Sequence, residues 1–209
     1  MTWKKQLKES TRSIDQLKRH IAMDKDEERV LREVVDAHPM CIPPYYMSLI
    51  NPSDPDDPIR AMSVPCMDEQ DITGSYDTSG EGKNTKMEGL QHKYSQTALL
   101  LATNQCAMYC RHCFRKRMVG IKETEQLKHY NEAAQYIEKH REINNVLITG
   151  GDPFVMSTSM IAELLDMISP IDHLDFIRFG TRIPVSLPQR IIEDPSLIAL
   201  LNRHSRPER

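Results

Sequence analysis

From Thr97 onwards, strand-like runs alternate with amphipathic segments, and this alternation constrains the fold more than any other feature of the sequence. The first run, TALLLATN, is continuously apolar, as is typical of a short strand that is buried on both faces. NVLITGGDP and LDFIRFGTR follow as the second and third strands. The order strand, helix, strand, helix, strand, helix indicates an α/β fold with a parallel sheet and right-handed crossovers.

Apolar residues at helical spacing predict the helices of this α/β segment. The first helix is marked by Leu127, Tyr130, Ala133, Ala134 and Ile137. The second is expected to point one set of residues inward, namely Met160, Ile161, Leu164, Leu165 and Ile168. PQRIIEDPSLIALLNRH, after the third strand, is also predicted to be helical.

The region before Thr97 has a different character. Residues 1–60 are predicted to form helices and then a loop, since the apolar positions of the segment around Val34 have helical spacing and five prolines follow between Pro43 and Pro58. Residues 61–96 are mostly polar and rich in glycine, so they are expected to form an irregular connector. Residues 97–209 then form the α/β domain.

Global composition excludes several classes of function. The formal net charge is −3 and the sequence pI is about 6.2, so no nucleic-acid partner is indicated. No stretch approaches the roughly 20 apolar residues that a membrane-spanning helix needs. The first ten residues, MTWKKQLKES, lack an apolar segment behind the lysines, so no secretory signal is predicted and the cytoplasm is the expected compartment.

Three of the five cysteines lie within the eight residues CAMYCRHC, directly after the first predicted strand. Cys106, Cys110 and Cys113 therefore belong to a loop at the carboxyl edge of the sheet, where parallel α/β folds place their sites. An odd number of clustered cysteines, without a predicted signal peptide, indicates reduced thiols that act as ligands. Cys41, between prolines, is expected to be a packing residue.

The C-x3-C-x2-C spacing lets one loop turn three sulfurs toward a compact centre. Four-iron clusters normally take four cysteine ligands, so a set of three leaves one iron open. By analogy with catalytic zinc sites, an open position serves a substrate. The alternative is a zinc site that adds His112, although neighbouring His112 and Cys113 would ligate one tetrahedral ion awkwardly.

Five stretches resemble, in the same order, stretches of the lysine 2,3-aminomutase family of radical S-adenosylmethionine (SAM) enzymes: PPYYMSLINPSDPDDPIR, GLQHKY, CAMYCRHCFRKR, LITGGDP and FGTRIPVSLPQR. The resemblance implies a partial parallel (β/α) barrel of the radical SAM type, preceded by an N-terminal helical segment. About three of the six β/α units of that barrel are recognisable, so the sequence is expected to be a truncated or split form of a larger enzyme.

The resemblance implies that Cys106, Cys110 and Cys113 ligate a [4Fe-4S] cluster whose fourth iron binds SAM. One electron from the cluster then cleaves SAM to a 5′-deoxyadenosyl radical, which takes a hydrogen atom from an amino-acid substrate. Pyridoxal 5′-phosphate (PLP) holds the substrate while its amino group moves between the α and β carbons. The family carries its PLP-binding lysine in a segment after the barrel, so this lysine is not expected within these 209 residues. The implied partners are the amino acid, with lysine as the first expectation, an electron donor such as flavodoxin or ferredoxin, and a second copy or a complementing chain.

The resemblance also assigns residues to the SAM site. His112 matches a ring-bearing position that packs near the adenine of SAM. Gly150, Gly151, Asp152 and Pro153 match the GGDP-like turn of the family. Glycines at the end of a strand let backbone groups approach a ligand closely, and a nearby acid suits an ammonium group.

Two further residues are assigned to the substrate and to PLP. Arg115 matches a position that binds the substrate carboxylate, which suits the planar guanidinium group. Tyr94 matches a tyrosine of the PLP site, although Lys93 and Thr97 stand where the family commonly has arginines. Arg182 ends the third strand, where it either faces the site or shapes the turn into the next helix.

Three other functions stay open at this stage. The chain can be a cluster-binding half that needs a separate chain, or a non-catalytic zinc module built on the same cysteines. It can also belong to an aminomutase that acts on a protein-bound lysine. Some relatives act on glutamate or on other amino acids, so the resemblance does not select the substrate.

Overall fold

Five strands form a single mixed sheet in the computed structural model of the chain, which describes residues 1–71, 73–121 and 125–205. In sheet order, which is also chain order, the strands are β1 (Thr85–Met87), β2 (Leu90–Tyr94), β3 (Thr97–Thr103), β4 (Asn145–Gly150) and β5 (Phe176–Phe179). The β1–β2 and β2–β3 pairs are antiparallel, whereas the β3–β4 and β4–β5 pairs are parallel. The α/β class and the three predicted strands are confirmed. The sheet is not closed, and a barrel of the radical SAM type remains a prediction.

The described helices precede the sheet or connect its parallel strands. They are α1 (Trp3–Lys8), α2 (Ile14–Leu17), α3 (Lys25–Ala37), α4 (Pro44–Met47), α5 (Pro58–Ser63), α6 (Glu81–Asn84), α7 (Tyr130–Lys139), α8 (Thr158–Ile168), α9 (Ile183–Ser186), α10 (Gln189–Ile192) and α11 (Pro195–His204). Short 3-10 turns occupy Met67–Gln70 and Pro153–Val155. In the part of the chain that the structure describes, no helix is long and apolar enough to cross a membrane.

The N-terminal helices follow from local sequence rules. Helix α3 begins after Asp24, whose carboxylate accepts hydrogen bonds from the backbone of the first turn, and it ends two residues before Pro39. Helices α4 and α5 are short and start with a proline, because a proline is tolerated only at the beginning of a helix. Buried apolar residues of α2, α3 and α4 form one cluster with Met108 of the cysteine loop, so this region packs against the candidate site.

Residues 61–96 differ from the irregular connector predicted for them. The described part of this segment contains α6 and the two antiparallel strands β1 and β2. The strands are only three and five residues long, and β1 reads TKM, so neither carries a recognisable apolar alternation. Pairing with β3 stabilises them, and such a tertiary contact leaves no local pattern in the sequence.

The main core lies between the sheet and the helices that connect its parallel strands. Helix α8 buries Ile161, Leu164, Leu165 and Ile168, as predicted. The prediction is wrong for Met160, which is 44% exposed, because it lies in the first turn beside the face that packs inward. The first predicted helix begins later than its apolar pattern suggests, since Leu127 is buried in the loop before α7.

Candidate functional site

The three clustered cysteines lie on the loop that leaves the carboxyl end of β3. Cys106, Cys110 and Cys113 are free thiols, and all three line one cavity of about 270 Å³. The N-terminal region holds this loop in place, since the backbone N–H of Tyr109 donates to the carbonyl of Cys41 at 3.0 Å. Cys41 itself is buried and packs beneath the loop, as predicted. All three cysteines therefore line one cavity at the expected edge of the sheet.

The environment of Cys106 and Cys113 opposes the ionisation of these two thiols. Burial raises the pKa of Cys106 well above the ordinary thiol value, and the negative charge of Asp152 adds to the effect. Burial also raises the pKa of Cys113. Since the thiolate is the reactive and metal-binding form, these cysteines are poor free nucleophiles, and a bound cation is needed to hold them deprotonated.

The arrangement of donors suits a cluster better than a single ion. Within the described residues, no three His, Cys, Asp or Glu side chains form a group that could hold one metal ion. A zinc ion needs every ligand atom about 2.0–2.3 Å from one centre, whereas the thiolates of an iron–sulfur cluster bind different irons. His112, the fourth ligand of the zinc alternative, is exposed and is not part of the cavity wall. Three thiols that open into one cavity therefore fit an iron–sulfur cluster.

The glycine pair after β4 packs against the cysteine loop. The backbone N–H of Gly151 donates to the carbonyl of Thr103 at 2.6 Å. A Cβ atom at Gly150 would lie 2.3 Å from the Thr103 oxygen, and one at Gly151 would lie 2.2 Å from the Gln105 oxygen. The predicted close approach is present, but it is made to the chain's own backbone, and only the remaining surface of the pair lines the cavity.

Asp152 joins the turn after β4 to the turn after β5. One carboxylate oxygen accepts hydrogen bonds from the Phe154 N–H at 3.0 Å and the Thr181 hydroxyl at 2.7 Å, and the other accepts from the Arg182 N–H at 2.6 Å. Burial raises the pKa of Asp152 although these hydrogen bonds oppose the shift. Pro153 is buried and opens the 3-10 turn that follows. Both carboxylate oxygens of Asp152 thus accept hydrogen bonds from the chain itself. The sequence had instead suggested an ammonium group as the partner of this acid.

Arg182 reaches back from the end of β5 to the cysteine loop. Its Nη1 atom lies 3.1 Å from the sulfur of Cys110 and 3.4 Å from Nε2 of His112, and Nη2 lies 3.7 Å from the sulfur of Met62. Its backbone starts α9. The sequence left open whether Arg182 faces the site or shapes the turn into the next helix. In the structure it does both, because it starts α9 and also lines the cavity.

The chain is similar to one known domain family and to several curated enzymes. A family model described as a 4Fe-4S single cluster domain matches residues 88–178. The L-lysine 2,3-aminomutase of Bacillus subtilis is 39% identical over 91% of this chain and 41% of its own length. The enzyme of the same name from Clostridium subterminale is 34% identical over 97% of this chain and 49% of its own length. The glutamate 2,3-aminomutase of Clostridioides difficile is 35% identical over 92% of this chain and 46% of its own length.

This chain belongs to the lysine 2,3-aminomutase family. It spans about half the length of the curated relatives that it matches.

Arg115, the expected substrate-carboxylate residue of this aminomutase family member, already has a carboxylate partner. Its Nε and Nη2 atoms donate to one oxygen of Glu81 at 3.0 and 2.8 Å, and Nη1 donates to Thr149 and to the carbonyl of Gly150, each at 3.3 Å. The other Glu81 oxygen accepts from Arg117 at 2.6 Å. Burial alone would raise the pKa of Glu81, but the two arginines outweigh it and lower the pKa. A role of Arg115 in substrate binding stays a prediction.

Tyr94, the expected PLP residue of the family, lies away from the cysteines. It pairs with Thr97 at the start of β3, whereas the cysteine loop leaves the other end of that strand, about 20 Å away along an extended chain. Its side chain is 66% exposed, and neighbouring Lys93 donates to the carbonyl of Ser79 at 2.9 Å. The described residues around Tyr94 thus build no enclosed cradle for a phosphate group, and they do not fit PLP.

Sequence reasoning missed Glu81. This residue contacts Arg115 across 34 positions and lies in a segment that reads as a polar loop. No spacing or local motif marks it, and only the fold brings it into contact with Arg115, which lines the cavity.

Proposed function

We propose that this chain is the cluster-binding part of a radical SAM aminomutase, an isomerase that moves an amino group between the α and β carbons of an amino acid. The observation that carries the proposal is the cavity at the carboxyl edge of the sheet, which is lined by all three cysteines of the C-x3-C-x2-C motif. The names of the relatives support the reaction class and include both lysine and glutamate as substrates.

In this proposal Cys106, Cys110 and Cys113 hold a [4Fe-4S] cluster with one iron left open for SAM. Such a cluster, when bound, supplies the one-electron reduction of SAM that starts the reaction. The residues of the chain shape the surroundings of the cluster. The turn after β4 closes one wall, and Arg182 places a positive charge beside a ligand sulfur.

The involvement of PLP in the reaction is inferred only from the family resemblance. Because the residues around Tyr94 do not fit it, we assign PLP no residue of this chain and derive no step through it. We propose instead that catalysis needs further polypeptide. The electron donor is proposed to be a flavodoxin or a ferredoxin that docks at the cysteine loop, whose His112 and Phe114 are exposed.

The test is anaerobic reconstitution with iron and sulfide, followed by electron paramagnetic resonance of the reduced protein with and without SAM. We expect a [4Fe-4S]⁺ signal that changes when SAM is added, because the open iron coordinates it. Cys110→Ser is expected to lose most of the bound iron and the visible absorption. Cys66→Ser is the matched control, since Cys66 is exposed and lies outside the cavity.

Each other outcome has a definite meaning. A cluster signal that SAM leaves unchanged would reduce the proposal to a cluster-binding fragment without a SAM site. Tightly bound zinc and no cluster would contradict the proposal in favour of the zinc module.

The second candidate is a split enzyme, in which this chain supplies the cluster and a separate chain completes the sheet. The free edge of β5 favours it, because Phe176 on that strand is 53% exposed. Co-purification of a complementing chain that restores aminomutase activity would support this candidate. Competition between free lysine and a lysine-containing protein would then separate the two classes of substrate.

A further inference from the structure

The guanidinium group of Arg182 places a permanent positive charge beside one sulfur of the cysteine motif. Its Nη1 atom lies 3.1 Å from the sulfur of Cys110, close enough for a hydrogen bond from a charged donor. A guanidinium group stays protonated at every pH that the protein tolerates, so the charge is constant. The contact therefore favours whichever state of the sulfur centre is more negative.

The backbone that carries Arg182 is fixed on both sides. Its N–H donates to the buried carboxylate of Asp152 at 2.6 Å, and its carbonyl accepts the hydroxyl of Ser186 at 3.0 Å. The N–H of Asp152 in turn donates to the carbonyl of Gln105, the residue before Cys106. The guanidinium group and the cysteine loop are thus connected through one buried acid, and their contact is built into the fold although the arginine side chain is exposed.

We propose that Arg182 raises the reduction potential of the iron–sulfur cluster by donating to the sulfur of Cys110. The inference rests on the proposed cluster and adds a tuning residue from outside the cysteine motif. Hydrogen bonds to the sulfurs and nearby charge are two of the factors that set such potentials. Reduction by an external one-electron donor adds one negative charge to the cluster, so the guanidinium group stabilises the reduced form more than the oxidised form.

The experiment is a redox titration of the reconstituted chain without SAM, followed by the electron paramagnetic resonance signal of the reduced cluster. Arg182→Met removes the charge and the donor and keeps an unbranched side chain, so we expect a more negative midpoint potential. Arg182→Lys keeps the charge but loses the planar fork, so we expect its midpoint potential to lie between those of the parent and of Arg182→Met. Arg178→Met is the matched control, because Arg178 is exposed on β5 and contacts Asn145 instead of a cysteine.

Equal midpoints for Arg182→Met and the parent, at equal iron content, would overturn the inference and leave the cluster proposal intact. An equal shift in Arg178→Met would also overturn it, since the effect would then be one of net charge. If Arg182→Met loses its iron, Arg182→Gln, which also removes the charge but keeps a polar side chain, decides in its place, and an unchanged midpoint again overturns the inference. A parent chain that binds no cluster would instead contradict the proposed function itself.

Discussion

At the scale of single residues, Gly150 is a position of the site where the backbone does not tolerate a side chain. Its φ is +114°, a region that L-residues avoid, and a Cβ atom there would lie 2.3 Å from the Thr103 oxygen. Gly74 offers a matched case, because its φ is +107° while nothing lies within 4 Å of the place that a Cβ atom would take. Comparing the two separates the clash from the conformational cost.

We expect Gly150→Ala to lower the free energy of unfolding by about 2 kcal/mol more than Gly74→Ala. Each substitution carries a conformational cost of about 1–3 kcal/mol, and only the first adds overpacking against the cysteine loop. Urea unfolding followed by circular dichroism measures both. Equal losses would mean that the loop after β3 moves away at little cost.

Glu81 is the second residue whose contribution can be isolated, because it is buried between two arginines. Removing one partner of a buried ion pair costs about 3–5 kcal/mol, since the remaining charges lose their compensation. We therefore expect Glu81→Gln to destabilise the protein by that amount at pH 7. Glu125→Gln is the control: Glu125 is 46% exposed and pairs with Arg117, so its loss is expected to cost about 0.5 kcal/mol or less.

The effect of Glu81 depends on pH in a defined direction. Its folded-state pKa lies below the ordinary glutamate value, so the stabilisation is complete above that value and is lost as the pH falls through the folded-state pKa. The difference in unfolding free energy between the parent and Glu81→Gln should hence narrow on going from pH 7 to about pH 3. A difference that stays constant over this range would show that the charge of Glu81 does not cause it.

Sequence reasoning at this scale found the residues whose chemistry is written in their spacing. The three cysteines and the GGDP turn were predictable because local order brings them to the ends of adjacent strands. The engagement of Asp152 with Arg182 and of Arg115 with Glu81 was not, because each contact joins segments about 30 residues apart. Long-range polar contacts have no period or motif that a sequence can display.

At the scale of elements, those with a local apolar pattern could be predicted, and those stabilised by contacts with distant segments could not. Strands β3 and β4 and helix α8 were predictable because each buries a continuous or periodic apolar set. Strands β1 and β2 were not predicted, since their stability comes from the pairing of β1 with β2 and of β2 with β3. The cysteine loop is likewise irregular, and the elements packed around it determine its path.

Arg190 is the buried residue that ties several of these elements together. It is 0% exposed, and its guanidinium group lies 4.6 Å from the ring centroid of Trp3 on α1. Its other contacts are hydrogen bonds or ion pairs to the segment before and at the start of α8 and to the start of α11, namely the carbonyls of Phe154 and Met156 and the side chains of Thr158 and Asp194. Loss of the side chain would leave several of these groups buried without a partner.

We expect Arg190→Met to lower the free energy of unfolding by about 3–5 kcal/mol, because it breaks a buried ion pair and orphans two carbonyls. Trp3 is the only tryptophan, so its fluorescence emission should also shift as the contact is lost. Arg203→Met is the control, since Arg203 is exposed on α11 and its ion pair with Asp166 is a surface pair. An emission spectrum and a stability equal to those of the parent would contradict the assigned role.

At the scale of the whole molecule, the N-terminal region and the sheet meet at the cysteine loop. Arg111 of the loop is buried, pairs with Glu69 at 2.8 Å and donates to the carbonyls of His38 and Pro39. The loop is therefore supported from the side of the helices and from the side of the sheet. The composition of the sequence predicted neither support, because both are contacts between distant segments.

The other consequence at this scale concerns β5, which is an edge of the sheet. Beside it runs a cavity of about 250 Å³ whose lining includes Leu174, Phe176, Phe179 and Leu201. Unpaired strand edges with apolar side chains pair readily with another chain. We expect the chain to associate through this edge, either with a second copy or with a complementing chain.

Phe176→Lys tests this expectation, because a charge on an edge strand opposes pairing. Burial of a phenylalanine contributes about 1.5–3 kcal/mol, so the substitution should weaken self-association at least about tenfold in sedimentation velocity. Ile192→Lys is the control: Ile192 is more exposed than Phe176 and lies on α10, away from the edge. If both variants sediment like the parent at every concentration, β5 is not the contact. If both dissociate alike, the cause is surface charge and not the strand, and the free edge must then be protected in some other way.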